Sequence, residues 1–292
     1  MNSAKIILGT IGLLAGAGLL AAQTKGGSKA TIETKVKAFD TLTKYQRGTV
    51  RGAILYEGPS QFDGKPIVVI IIYKSSNPKT NDIPQAYIIR QDIPPTEARR
   101  SGDDVSICGN CAFRSRGCYV NPMGVLSIWK SYQAGKYSDW AHVQWWLARN
   151  APRVLRAGAY GDPVAAPVWI WDKLNKMMPK DATLLSYTEQ WRSRRAQAYR
   201  WFCMASVKSY KEQLEAKAKG WRTFRIYPPE DAELAKGQII CPYEATDTVT
   251  CLSCGLCDGG EGPDIANPVH GSKPLLKKAL HTLREVKRKE ST

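Results

Sequence analysis

VLRAGAYGDPVAAPVWIWDKLNKMM, Val154 to Met178, is the stretch on which the fold turns. It opens as a strand, passes through a glycine-rich turn at Gly158–Pro163, and continues as a helix in APVWIWDKLNKMM. The same alternation runs on towards the C-terminus. TLLSYTEQ reads as a strand, WRSRRAQAYR as a short helix or loop, and WFCMASV as a strand. SYKEQLEAKAKG is an amphipathic helix with Gly220 as its stop, followed by strand WRTFRIYPP, short helix DAELAKG and strand GQIICPYE. Strand and helix in steady turn predict parallel βαβ units, and several in a row predict an open α/β sheet or a partial barrel.

Upstream of Val154, GVLSIWKSYQAGKY and DWAHVQWWLARNAP are predicted helices. Residues 50–94 carry a different texture. GAILYEG, KPIVVIIIYKS and PQAYIIRQD are predicted strands separated by turns at Gly58-Pro59, Asp63-Gly64 and Asn77-Pro78. The β-branched run IVVIII suits a strand buried on both faces. The expected organisation is therefore a small β region at 50–94, a cysteine-rich α/β partial barrel at 95–271 and a basic helix at 272–292. That last helix places Leu276, Leu280, Leu283 and Val286 on one side, so it docks on the body or touches nucleic acid.

Residues 1–24 form a hydrophobic segment, and 25–49 a polar linker running into a short helix. Ile6 to Ala22 holds no charge, at the short end of a membrane span and also at the length of a signal-peptide core. Gly12 and Gly16 form a face suited to helix packing in lipid. Lys25, Lys29, Lys35 and Lys37 follow the run, a bias that leaves the body in the cytoplasm behind an N-terminal anchor. A buried helix or an over-long start are the other readings.

The chain has 292 residues, 43% of them hydrophobic and 23% charged, which excludes a disordered protein. Lys and Arg outnumber Asp and Glu by 42 to 26, with a pI near 9.5. That excess points to a nucleotide, nucleic acid or an anionic membrane surface as partner, or to a solvated basic surface.

Of eight cysteines, seven fall into two groups. Cys108, Cys111 and Cys118 form the first; Cys241 with Cys251, Cys254 and Cys257 form the second. A chain this long needs no disulfide staples, and C-x-x-C spacing is that of metal ligands in a reducing compartment. Four thiolates in the second group suit structural zinc, yet three cysteines at two-residue steps suit the loop around a [4Fe–4S] cluster. The first group has three thiolates, and none of His142, His270 or His281 lies beside Cys118 in sequence as a fourth ligand. Three thiolates on a cubane leave one iron open. Iron–sulfur, as one cluster or two, is the expectation, with zinc the alternative. Cys203, alone on a predicted strand, reads as a buried thiol.

Other candidate site residues sit at predicted strand ends, where barrel enzymes carry their chemistry. Gly158, Gly161 and Asp162 form a turn that lets a ligand approach the backbone, or an ordinary helix start with Asp162 as cap and Pro163 first in the helix. Thr188, Glu189, Gln190, Ser206 and Arg225 are placed to line the same mouth. Trp191, Arg192, Arg194 and Arg195 suit a phosphate or stacked base, or a solvated Arg-rich helix. No phosphate loop, G-x-G-x-x-G, H-E-x-x-H or G-x-S-x-G occurs.

From Val50 to His270, the motifs FDGKPIVVI, NPKT, ICGNC, GCYV, RAGAYGDP, GWRTFRI, CPYE and TCLSCGLCDGG resemble a family of cysteine-rich proteins encoded by bacteriophages. The likeness covers about three quarters of the chain, implies a phage's host cell as the setting, and brings no activity with it. More remotely, the part from Cys108 onward resembles radical S-adenosylmethionine (AdoMet) enzymes, whose three-cysteine loop opens a partial (β/α)6 barrel. That resemblance implies a catalytic [4Fe–4S] cluster on Cys108, Cys111 and Cys118, AdoMet against Gly161 and Asp162, and an auxiliary cluster on the second group. The superfamily's C-x3-C-x2-C spacing is replaced here by C-x2-C-x6-C. The functional expectation is a radical-AdoMet-like iron–sulfur protein that modifies a nucleotide or nucleic acid. Its rivals are a zinc-stabilised nucleic-acid-binding protein without catalysis and a membrane-tethered interaction protein.

Overall fold

A computed structural model describes residues 50–74, 77–114, 116–231, 233–246 and 248–290. The expected anchor at Ile6–Ala22 and the linker at 25–49 lie outside them. Among the described residues no helix is long and apolar enough to cross a membrane.

Three strands come first: β1 (Gly52–Pro59), β2 (Pro66–Ile72) and β3 (Gln85–Arg90). They pair antiparallel in sequence order, and Ile67 to Ile71 of β2 are wholly buried, as their unbroken β-branched run dictates. Helices α1 (Pro95–Ser101), α2 (Val105–Cys108), α3 (Pro122–Gln133) and α4 (Trp140–Asn150) lead to β4 (Val154–Tyr160). Asn121 and Asp139 cap α3 and α4 by accepting from backbone N–H groups of the first turn.

β4 lies parallel to β3, so the strands before and after the first cysteine group share one sheet, β1-β2-β3-β4-β5. Helix α5 (Val168–Met177) returns the chain to β5 (Thr183–Leu185). The predicted strand TLLSYTEQ then breaks at Ser186 into β5 and β6 (Tyr187–Thr188). The break has a visible cause: Ser186 N–H donates to the Cys257 carbonyl and its hydroxyl to the Ala157 carbonyl, while its own carbonyl accepts from Met204 N–H, so the chain passes here from one sheet to the other.

The second sheet has the order β6-β7-β8-β10-β9 and is parallel throughout. It comprises β7 (Met204–Val207), β8 (Thr223–Tyr227), β9 (Gln238–Ile240) and β10 (Asp264–Pro268), with α6 (Tyr210–Ala218) between β7 and β8. Gly220 follows α6 with φ +77°, the left-handed stop its sequence predicts. DAELAKG, predicted as a helix, is not one. A single 3-10 turn at Pro229–Asp231 and a turn into β9 take its place. Short helices α7 (Pro242–Thr246) and α8 (Cys251–Cys254) carry the second cysteine group, and α9 (Lys273–Glu290) ends the described chain.

The fold is therefore mixed α/β with two sheets that contain parallel strands, and neither sheet closes on itself among the described residues. One core packs β2, β3 and β4 against Ile170, Trp171 and Leu174 of α5. A smaller one gathers Met204, Phe224, Ile226 and Ile265 with Cys241, Cys257 and the α9 residues Ala279 and Leu283. α9 thus docks on the body, as its apolar side predicts.

Candidate functional site

Because all pairings from β3 onward are parallel, the chain leaves the strands on a common edge, and most of the sequence-predicted residues meet there. The first cysteine group follows β3 by way of α1 and α2. Asp162 follows β4, Thr188 ends β6 with Glu189 just beyond it, and Lys208 follows β7.

Gly161 welds two of these segments together. Its φ is +82°, and a Cβ there would stand 2.7 Å from Ile88 Cβ on β3 and 3.3 Å from the Ile107 carbonyl on α2. The neighbouring Asp162 N–H donates to that same Ile107 carbonyl at 2.6 Å. Gly158 is likewise crowded, its missing Cβ 2.8 Å from the Gly161 carbonyl. At both glycines the space a Cβ would take is filled by protein, which packs the turn on itself and against β3 and α2. Asp162 does cap the following 3-10 turn, accepting from Val164 N–H at 3.0 Å with Pro163 in first position. Its carboxylate also accepts from the Thr188 hydroxyl at 2.9 Å and from Glu189 N–H at 2.8 Å. Both oxygens are therefore engaged, and burial pushes the carboxyl up to about 7 against those hydrogen bonds.

Cys108, Cys111 and Cys118 lie near enough that each thiolate charge opposes another's, and burial is the larger cause that raises all three thiols. Gln190, on the predicted strand end, donates to the Cys108 carbonyl at 3.3 Å and sits against Gly109. Lys208 brings positive charge near Cys111 while its ammonium pairs with Glu189. The buried Tyr160 hydroxyl, within electrostatic reach of Cys108 and Cys118, has no hydrogen-bond partner among the described residues.

Cys241, Cys251, Cys254 and Cys257 line one cavity of about 20 Å³, walled by Leu185, Tyr187, Phe224 and Ile265. Cys241 joins the other three although nine residues separate it from Cys251, because its N–H donates to the Ala266 carbonyl of β10 at 2.7 Å. Cys251 N–H donates to the Lys79 carbonyl at 2.9 Å. Arg222 holds the chain on both sides of Cys257 by donating to the carbonyls of Leu256, Asp258 and Pro263. Burial raises Cys251 and Cys254, and takes Cys257 to about 12. Arg156 and Lys79 act the other way on Cys251. Among the described residues no three or more His, Cys, Asp or Glu side chains form a group that could hold a metal ion as they stand.

Of the remaining predictions, Cys203 is a buried thiol on the approach to β7. Ser206 is buried in β7, its carbonyl accepting from Trp191 Nε1 and Lys208 Nζ. Arg225 lies on β8 and opens onto a separate, larger cavity. Trp191 is buried, and Arg192 covers it at 3.9 Å while pairing with Glu212 and Glu215, so no base can stack there. Lys208 and Glu189 are the site residues that sequence reading underweights. Their signal was position alone, each falling at the end of a strand. No protein-family model, no curated protein and no solved structure matches the chain.

Proposed function

We propose that the chain is a phage-type, radical-AdoMet-like iron–sulfur protein that modifies a nucleotide or nucleic acid. The observation that carries this reading is the seat of the first cysteine loop. It follows β3, abuts the turn after β4 through Gly161 and Asp162, and leaves the buried Tyr160 hydroxyl without a partner. Strand order supports a partial barrel, since β3, β4, β5 with β6, β7 and β8 lie side by side in sequence and only Ser186 separates β5 from β6.

The donor set fits such a group. Buried thiols that resist ionisation release their protons to a metal and not to water, so metal uptake and deprotonation go together. Cys108, Cys111 and Cys118 would hold one cluster and the second group another. A [4Fe–4S] cluster on three cysteines supplies an electron and one open coordination position. Around it, Gln190 fixes the loop by its bond to the Cys108 carbonyl, and Lys208 supplies positive charge near Cys111. Asp162 orders the turn, and the apolar walls of Ile88 and Ile107 exclude water. Tetrahedral zinc with bonds of about 2.3 Å draws its thiolates to about 3.8 Å of one another. A cubane spreads its thiolates further apart and needs more room than a single ion.

A second reading puts zinc in the second group, favoured by that cavity's volume of about 20 Å³, room for a single ion without widening. One measurement separates the two. Protein purified without oxygen should hold about eight irons and eight sulfides per chain, with a broad band near ~400 nm. It should then convert AdoMet to methionine when dithionite supplies the electron. Zinc without colour in both groups would end the iron–sulfur reading. Iron without AdoMet turnover would end the radical-AdoMet part of it.

A further inference from the structure

A large cavity among the described residues belongs to neither cysteine group. It measures about 680 Å³ and lies beyond the C-terminal ends of β7 and β8, with the last turns of α9 as one wall. That is the size of a small-molecule site. Much of its charge is already paired. Arg284 of α9 meets Glu230 at 3.4 Å, Lys287 meets Asp231 at 3.0 Å, and Lys208 is held by Glu189.

Arg225 is different. It is 4% exposed, and among the described residues no carboxylate lies within ion-pair distance of its guanidinium. Its Nη2 donates to the Glu233 carbonyl at 2.6 Å and to Gln238 Oε1 at 3.1 Å, while its plane lies 5.0 Å from the centre of the Tyr227 ring. Its Nε has no hydrogen-bond partner among the described residues. Asp231 and Glu233 act on it only at longer range. A guanidinium fixed in position, buried and short of a counter-ion is costly unless an anion completes it. Lys211 and Lys236 line the same cavity, and among the described residues neither has a carboxylate partner; Lys211 donates to the Glu290 carbonyl. Against them stand the carboxylates of Glu233 and of Glu290, the latter accepting from the Ser209 hydroxyl.

We propose that this cavity binds the phosphate of a small phosphorylated molecule, with Arg225 as the buried anchor and Lys211 and Lys236 at the mouth. Phosphate suits a cavity lined by three cations from different elements better than a carboxylate does, because it presents more charge and more acceptor oxygens. Lys208 also lines a smaller cavity of about 380 Å³ with Asn110 and Ala112 of the first cysteine loop. Lys208 thus stands between the two cavities. The inference goes beyond the cluster reading and does not depend on it, since the cavity is built whether or not the cysteines hold metal.

The test is calorimetric titration of the full chain, as purified, with inorganic phosphate, pyrophosphate and adenosine monophosphate, and with succinate as the carboxylate comparison. Saturable binding of one phosphate probe per chain is expected, weakened at least ~10-fold by R225Q and about 3- to 10-fold by K211E and by K236E. K130E, an exposed reversal on α3 away from the cavity, should leave it unchanged. If R225Q fails to fold, the two rim variants decide. Absence of saturable binding by wild type would overturn the proposal. So would equal weakening by K130E, or succinate binding tighter than phosphate.

Discussion

Gly161→Ala tests the claim that the turn after β4 holds the cysteine loop in place. Two costs add at this position. Alanine at φ +82° costs about 1 kcal/mol for its left-handed backbone. Its Cβ would also press to 2.7 Å on Ile88 Cβ and 2.9 Å on the Ile88 carbonyl, both in a buried strand. Such overpacking costs typically about 1–3 kcal/mol, for a total of about 2–4 kcal/mol. Gly64→Ala is the control. Gly64 has nearly the same φ, +76°, but nothing within 4 Å of its missing Cβ, so only the first cost applies. For a folded body of this size, the melting temperature should fall by about 5–15 °C in G161A and about 2–4 °C in G64A. Hydrogen exchange gives a local readout. The Asp162 N–H, bonded to Ile107, should exchange faster in G161A and keep its wild-type rate in G64A. Equal losses in the two variants, with Asp162 still protected, would refute the idea that crowding at Gly161 clamps the loop.

Three further outcomes are expected. Trp171→Ala should cost about 3–5 kcal/mol in urea unfolding, because the ring is fully buried against Phe202 and its Nε1 donates to the Pro163 carbonyl. Cys257→Ser should lower metal content by one whole site, about four irons under the cluster reading, whereas Cys203→Ser should leave it unchanged; equal loss in both would misassign the groups. Glu215 is held down to about 2 by hydrogen bonds from Arg192 and Lys219, against an ordinary 4.5. Its contribution is therefore complete above about pH 4.5 and is lost as pH falls towards 2. Solvent screens this part-exposed pair, so the effect stays below ~1 kcal/mol and shrinks in salt. Melting curves of wild type and Glu215→Gln should converge as the pH is lowered through that window.

How far the chain could be read before folding depended on how local each signal was. The β-branched run Ile67–Ile72 announced its burial because each residue's burial follows from its own side chain. Gly220 ended α6, and Asp162 followed by Pro163 started a turn, because caps act through atoms one to three residues away. The grouping of the cysteines was legible for the same reason, as was the strand–helix alternation that makes this an α/β chain. DIANP gave no such warning. Its central residues lack the β-branched pattern, and β10 exists because it fits between β8 and β9, strands that are consecutive in the chain. Nor could position alone show that Trp191 is buried, that Gly158 and Gly161 are crowded by protein, or that Arg225 lies buried with no carboxylate partner among the described residues. Each of these is settled by partners many residues distant, and sequence periodicity records which face a residue prefers, not what will come to lie against it.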